Sequence, residues 1–168
     1  MIHVETDLRG DAYRRLMDFC FSRSDAVSLT CDNTGLPFKR NIRDLRRRLR
    51  PWRLSTSSNL RKRGKEYDPW SSETADDRYF RADHVRQFIE DMYAPSEEVR
   101  AYICSAEGIG DWAYPQRPVD VRFFHEGRVW AECGTDEGTF YCCIRDHQRE
   151  ARLLLMLNAL NANYSWER

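Results

Sequence analysis

The sequence predicts an α+β domain, with a mainly antiparallel or mixed sheet of about six strands and helices packed on one face. Three observations support this fold class. The N-terminal residues change from a two-residue to a helical apolar period, three short strands separated by turns are predicted within the last fifty residues, and a Leu-rich helix follows them. With 168 residues and 41% hydrophobic content the chain can bury one core. We therefore expect a single domain over 1–168, with a basic helix and loop arm at 38–75.

The first third of the chain predicts the order strand, helix, strand, helix. Met1–Leu8 alternates apolar and polar residues, and from Arg9 the apolar residues recur at helical spacing until a stop near 22–24. Ala26–Cys31 has the composition of a second strand. Phe38 opens a basic helix, and Pro51 ends it because proline lacks the N–H that a helix interior needs. The narrow apolar stripe of this helix consists of Phe38, Ile42, Leu45 and Leu49.

The middle of the chain has weaker signals. Trp52 and Leu54 suggest a short third strand, and the polar and basic residues at 55–59 and 61–65 predict a mobile loop. Asp76–Arg81 predicts another strand, and Asp83 is a good N-cap for a helix. That helix would carry Val85, Phe88, Ile89 and Met92 on one face. A further short helix is predicted at 97–105 and a loop at 108–118.

The C-terminal third has the clearest pattern. Strands are predicted at Val119–Phe124, Val129–Cys133 and Thr139–Ile144, with Glu126-Gly127 as the first turn. Asp146 then caps a helix that is apolar on more than one face. Such a helix is either deeply buried against the sheet or meets a second chain, and oligomerisation through it stays open. Its candidate assembly face consists of Leu154, Leu157 and Leu160.

The charge of the chain is strongly segregated. Residues 39–65 contain twelve basic residues and one acid, a net charge of +11, while the other fifteen basic and 26 acidic residues give −11. Arginine outnumbers lysine in this segment, which favours bidentate contacts to carboxylate or phosphate. The candidate binding residues for a partner protein or a nucleic acid are Lys39, Arg40, Arg43, Arg46, Arg47, Arg48, Arg50, Trp52, Arg53, Arg61, Lys62 and Arg63. The alternative interpretation is a solvated helix face that the acidic remainder of the chain compensates.

No motif in the sequence predicts a catalytic residue, a metal site or a cofactor. The four histidines are isolated, and there is no C-x-x-C pair among the six cysteines. An enzyme that uses Cys133 or His125 stays as a hypothesis, because a cysteine and a histidine can meet in space without being close in sequence. No apolar run approaches the roughly 20 residues of a membrane helix, and no secretory leader is present, so we expect a cytoplasmic protein.

Several segments resemble a group of short, uncharacterised bacterial proteins. The run LRGDAYRRLMDFCFSRSDAVSL at 8–29 is similar to their opening strand, "G-x-A-Y" helix and second strand. The segment at 77–93 and the closing run DVRFFHEGRVWAECGTDEGTFYCCI are similar as well. Members are sometimes labelled as relatives of the sporulation stage III AH protein. The resemblance implies the α+β element order and implies no activity, since no catalytic motif accompanies it.

These observations predict a non-enzymatic protein–protein interaction module, in the manner of an immunity or defence-accessory factor, that binds another protein through the basic arm. Complementary charge speeds such an association and fixes its register. Nucleic-acid binding through the same arginines is the alternative, with Trp52 available to stack on a base. If the basic arm binds a partner protein, replacing Arg46, Arg47 and Arg48 with glutamate would abolish capture of that partner and leave the fold intact.

Overall fold

The computed structural model describes residues 1–4, 8–32, 40–61, 86–112, 117–134, 139–142 and 147–166. Four α-helices and eight strands lie within these ranges. In chain order they are β1 (Ile2–Val4), α1 (Gly10–Phe21), β2 (Ala26–Asp32), α2 (Arg40–Arg48), β3 (Arg53–Arg61), β4 (Arg86–Tyr93), α3 (Glu97–Cys104), β5 (Asp120–His125), β6 (Arg128–Gly134), β7 (Thr139–Cys142), α4 (His147–Ala159) and β8 (Tyr164–Trp166).

The described strands form one sheet in the order β3-β4-β2-β5-β6-β7-β1-β8, and every neighbouring pair is antiparallel. The predicted α+β class and antiparallel sheet are confirmed. The strand number is eight and not about six. Two reasons account for the difference: residues 86–93 form a strand where a helix was predicted, and Tyr164–Trp166 adds a short edge strand beside β1.

The core lies against one face of this sheet. Alternate strand residues point to that face, because successive side chains in a strand point to opposite sides. In five of the strands these residues are apolar and buried, and they belong to the same cluster as buried residues from each of the four helices. The strand members are Val27, Leu29, Val121, Phe123, Ala131, Cys133, Phe140, Cys142, Ile2 and Val4.

The predicted helix after Asp83 is wrong. Phe88, Ile89 and Met92 lie on β4, which pairs along its length with β2 on one side and β3 on the other. Pairing with two neighbours decides the conformation of such a segment against its local helical spacing. Asp83 and Val85, and the predicted strand at 76–81, lie outside the described residues.

The predicted loop at 55–59 is also wrong. This segment belongs to β3, whose pairing with β4 runs from Ser55 opposite Met92 to Arg61 opposite Arg86. The side chains of 54–58 are exposed. A short polar side chain is acceptable on an edge strand, so Ser- and Thr-rich composition does not by itself indicate a loop. The rest of the predicted loop, 62–65, lies outside the described residues, as does Lys39.

Elements with a strong local signal occur where the sequence predicts them. Helix α1 buries Tyr13, Leu16 and Met17, and Ser96 caps α3 by accepting a hydrogen bond from the backbone N–H of Val99 at 3.2 Å. In the turn between β5 and β6, the φ angles of residues 126 and 127 are 51° and 70°. Both are left-handed, as a two-residue hairpin turn requires.

Helix α4 buries Leu153 and Leu157, which are both 0% exposed. Leu154 and Leu160 are partly buried and pack against the core. The predicted assembly face is therefore wrong at Leu157, since a fully buried side chain cannot contact a second chain. The exposed leucine is Leu155, at 70%, which the helical period turns away from the sheet. None of the described helices has the length and apolar character of a membrane span.

Candidate interaction surface

Helix α2 rests on the core through a narrow apolar edge. Ile42 and Leu45 within the helix and Leu49 just after it are buried, at the three- and four-residue spacing of one helix face. Pro51 follows in a short 3-10 turn at Arg50–Trp52, so the α-helix ends where proline predicts. Phe38, the first residue of the predicted stripe, lies outside the described residues. The arginines of α2 are therefore presented on a fixed helix.

Four arginines follow the outer side of α2 and the turn after it. We call Arg40, Arg43, Arg47 and Arg50 the exposed stripe, because all four are exposed and lie three or four residues apart. Asp44 is paired with Arg40 at 3.8 Å and also with Arg47. Within the described part of the chain, Arg43 and Arg50 have no carboxylate partner. The stripe therefore presents an excess of positive charge to solvent.

Arg46, on the inner flank of α2, is bound to a buried carboxylate on β4. Its Nε–H donates to Asp91 Oδ2 at 2.5 Å and its Nη2–H to Oδ1 at 3.0 Å, a bidentate pair. Asp91 is 1% exposed, whereas the Arg46 side chain is 21% exposed. The pair joins α2 directly to the sheet.

Three further side chains complete this site, which we call the Asp91 cluster. Thr56 donates to Oδ1 at 2.5 Å, Tyr93 donates to Oδ2 at 3.3 Å, and an Arg53 nitrogen lies 3.6 Å from Oδ1. A bulge in β3 between Arg53 and Ser55 places Arg53 and Thr56 on the same face of the sheet. Arg46 comes from α2, Arg53 and Thr56 come from β3, and Tyr93 lies on β4 beside Asp91, so the cluster is complete only when these three elements are assembled.

The pKa of the Asp91 carboxyl is below its ordinary value. Burial alone would raise this pKa, but hydrogen bonds from Arg46 and Thr56 and the charges of Arg46 and Arg53 outweigh burial. The same contact raises the pKa of Arg46, because the Asp91 hydrogen bond favours the charged guanidinium. Both groups are therefore charged at neutral pH.

This shift predicts an acid-sensitive fold. A carboxyl with a depressed folded-state pKa contributes stability above its unfolded pKa of about 4, and this stability is lost as the pH falls through the folded pKa. We expect the free energy of unfolding, measured by urea titration, to fall as the pH is lowered from 5 towards 2. Asp91→Asn should show a shallower fall than the wild type. An unchanged slope would contradict a paired Asp91.

These contacts show that some of the predicted binding residues have structural roles. Arg46 and Arg53 serve the Asp91 cluster, so neither is free to bind a partner, and that prediction is corrected. Trp52 is partly buried and packs against the core, which corrects its predicted role as a base-stacking platform. Lys62 and Arg63 lie outside the described residues. Arg61 is described only as part of the β3 backbone.

The predicted cysteine–histidine site is not assembled. Cys133 is 0% exposed, and burial raises the pKa of its thiol, so the nucleophilic thiolate is disfavoured. Cys133 pairs with Val121 on β5. His125 lies four residues further along this strand, beside the hairpin turn, and is therefore roughly 13 Å away from that pair. Burial also raises the pKa of Cys31 to about 12 and of Cys104 to about 11.

A shallow cleft of about 710 Å³ lies between α1, the start of α3 and α4. Three of its charged groups pair with one another, since Arg100 contacts Asp18 at 2.8 Å and Glu97 at 3.2 Å, and Arg15 also lines the cleft. Phe19 and Met156 supply apolar lining. Because two arginines and two acidic residues line the cleft, its net charge is balanced and favours neither an anionic nor a cationic ligand. In the described ranges, no group of three or more His, Cys, Asp or Glu residues could hold a metal ion.

No protein-family model, curated protein or solved structure matches this chain. The resemblance to short bacterial proteins therefore stays a prediction.

Proposed function

We propose that this chain is a non-enzymatic, cytoplasmic interaction module that binds an acidic surface of another protein through the exposed stripe. The observation that carries this proposal is that the arginines of this helix have two different environments. The buried pair of Arg46 with Asp91 fixes the helix, and the outer side of α2 and of the turn after it presents Arg40, Arg43, Arg47 and Arg50 to solvent. Because the backbone of this helix is already ordered in the free protein, binding through it costs less conformational entropy, which favours affinity.

Two details favour a protein over a nucleic acid as the partner. Asp44 lies within the exposed stripe, where it would repel the phosphates of a continuous nucleic-acid backbone. A protein surface can place a cation opposite this acid and carboxylates opposite the arginines. In addition, Trp52 packs against the core, so the stripe lacks the aromatic platform that single-stranded nucleic-acid binders use. An immunity or defence-accessory role stays a prediction that the identity of the partner will test.

Charge reversal on the stripe tests this proposal. We expect R43E/R47E/R50E to reduce capture of the protein partner from nuclease-treated host lysate at least tenfold, because it replaces attraction by repulsion over the whole contact. The captured protein is then purified, and its dissociation constant is measured with the wild type and the variant. The urea midpoint of the variant should stay close to that of the wild type, since all three side chains are exposed.

The matched control is R14E/R128E/R152E, which makes the same change in net charge at exposed positions away from α2. This control should bind the partner as the wild type does. An equal loss of partner capture in both variants would show that capture depends on net charge alone, and would contradict the proposed surface. Loss of capture after nuclease treatment, together with steeply salt-dependent binding to a generic duplex, would replace the proposal with nucleic-acid binding.

A further inference from the structure

Strand β3 forms one end of the sheet and is open along its outer edge. It pairs with β4, from Ser55 opposite Met92 to Arg61 opposite Arg86, and no other described strand lies beside it. Residues 54–58 are exposed, and their backbone makes no hydrogen bond to the described residues outside this pairing. In an antiparallel pair, alternate residues direct their N–H and C=O groups away from the partner strand. Alternate residues of β3 therefore offer unpaired backbone groups to a ligand.

The two ends of the sheet differ in how they are protected against pairing with another chain. Edge strands are usually protected by being short, or by proline and charged residues. At the other end of the sheet, β8 has only three residues. Strand β3 has nine, and between its terminal arginines the sequence LSTSSNL contains neither proline nor charge. Its bulge lies at the start, so the pairing from Ser55 to Arg61 is regular and has the geometry that a further strand needs.

One flank of α2 faces this end of the sheet. Arg46 on that flank binds Asp91 of β4, in the Asp91 cluster that β3 completes. Arg48 follows two residues later, a rotation of about 200°, and lies over the Tyr102 ring of α3 on the other flank. Arg43 lies three residues before Arg46, so it shares the flank of Arg46 but is exposed. Arg43 is therefore on the side of α2 that faces β3 and β4.

Arg50 adds a second exposed guanidinium near the start of β3. It lies in the turn that joins α2 to this strand, three residues before Arg53, so their Cα atoms are within about 11 Å of each other. Within the described part of the chain, no carboxylate or hydrogen-bond acceptor occupies the guanidinium groups of Arg43 and Arg50. Both are therefore available to a ligand at the open edge.

We propose that β3 accepts an extended acidic segment of the partner protein as an additional strand, whose carboxylates bind Arg43 and Arg50. Backbone hydrogen bonds to the open edge provide affinity, as in other cases of strand addition. Because α2 lies on one face of the sheet, only alternate side chains of the added strand reach its arginines. The segment therefore carries Asp or Glu at every second residue. This inference rests on the proposed function and specifies the form in which the partner presents its acidic surface.

The charges of β3 oppose a second copy of this chain as the occupant. Antiparallel self-pairing would place the Arg53 end of one strand beside the Arg61 end of the other. Like charges directly opposite each other destabilise a strand pair. The exposed stripes of the two copies would also add to the positive charge at this edge. An acidic segment meets attraction at the same positions.

Two acidic peptides of nine residues, the length of β3, test the inference on the purified full chain. The first alternates glutamate and threonine, and the second has prolines at two adjacent central positions, so one of them always lacks an N–H that strand pairing needs. We expect fluorescence anisotropy to show saturable binding of the first peptide and about tenfold weaker binding of the second. A lysine–threonine peptide should not bind. Bound acidic peptide should also slow amide hydrogen exchange at alternate residues of 54–58.

Proline variants of the strand make the test specific. Ser57 and Ser58 direct their N–H groups to opposite edges, so one of Ser57→Pro and Ser58→Pro keeps the pairing with β4. The variant whose urea midpoint stays closer to that of the wild type should bind the acidic peptide about tenfold more weakly. Arg43→Gln should also weaken binding. Arg128→Gln, at an exposed position of β6, is the matched control and should bind as the wild type does.

The outcomes separate this inference from the proposed function. Equal binding of the two acidic peptides, or unchanged exchange at 54–58 in the complex, would overturn strand addition and leave charge recognition by the exposed stripe intact. If neither acidic peptide binds, the inference fails, and the capture test with R43E/R47E/R50E still judges the proposed function by itself. A dimer of the free chain that the folded proline variant loses would identify a second copy as the occupant and overturn the acidic segment.

Discussion

Arg46→Glu is expected to lower the free energy of unfolding by about 3–5 kcal/mol, the usual cost of leaving one partner of a buried ion pair uncompensated. The variant removes the bidentate partner of Asp91 and brings a second carboxylate towards it. Arg53, 3.6 Å from Asp91, compensates part of the loss and places the effect toward the lower end of this range. The measurement is a urea unfolding curve at pH 7, read as the shift of its midpoint.

The control for this prediction is Arg43→Glu, the same change on the exposed side of the same helix, which should stay within about 0.5 kcal/mol of the wild type. Replacing both Arg46 and Asp91 with leucine should cost less than Arg46→Glu, because the buried carboxylate is removed together with its main partner. Only Arg53, whose side chain is 25% exposed, then loses an ion pair. If Arg46→Glu and Arg43→Glu were equally stable, the buried pair would not hold α2 to the sheet. Replacing Arg46, Arg47 and Arg48 together with glutamate is therefore a poor probe of binding, because it also destabilises the fold.

Leu157→Ala is expected to cost about 2–5 kcal/mol, since it removes buried methyl groups and leaves a cavity in the core. Leu155, two residues earlier and 70% exposed, is the matched control. Leu155→Ala should change the free energy of unfolding by no more than about 0.5 kcal/mol. Thermal or urea unfolding of the two variants side by side provides the comparison.

A larger loss of stability for Leu155→Ala than for Leu157→Ala would contradict the burial of Leu157. A loss for Leu155→Ala that grows with protein concentration would indicate that Leu155 is covered by a second copy, because dissociation then becomes part of the unfolding reaction. Sedimentation velocity over the same concentration range separates that outcome from a loss within the monomer.

The elements that local chemistry specifies were predictable from the sequence. Helix α1 has an apolar period of three and four residues, α3 begins at a serine cap, and the β5–β6 hairpin has Gly127 at a left-handed position. In each case the residues that determine the conformation lie within one or two turns of one another. The end of α2 belongs to the same group, because Pro51 acts on its own neighbours.

The candidate site was predictable only in outline. Charge segregation marked the arginines of α2 as a surface, and their apolar neighbours Ile42, Leu45 and Leu49 marked the side that packs inward. Which arginine faces a buried acid could not be read from the sequence, because Asp91 is 45 residues from Arg46. The missed signal was the alternation of Ile89, Asp91 and Tyr93, which share one face of β4. A helical spacing of Phe88, Ile89 and Met92 overlapped this alternation and led to the wrong assignment.

By itself, the sequence determined the fold class, the helices with local caps and periods, and the presence of a basic surface on one helix. The tertiary structure alone decided that 53–61 and 86–93 are strands and that Arg46 is structural. The physical reason is the range of the interactions. Caps, turns and helical periods act between residues close in sequence, whereas strand pairing and the compensation of buried charge depend on groups that only folding brings together.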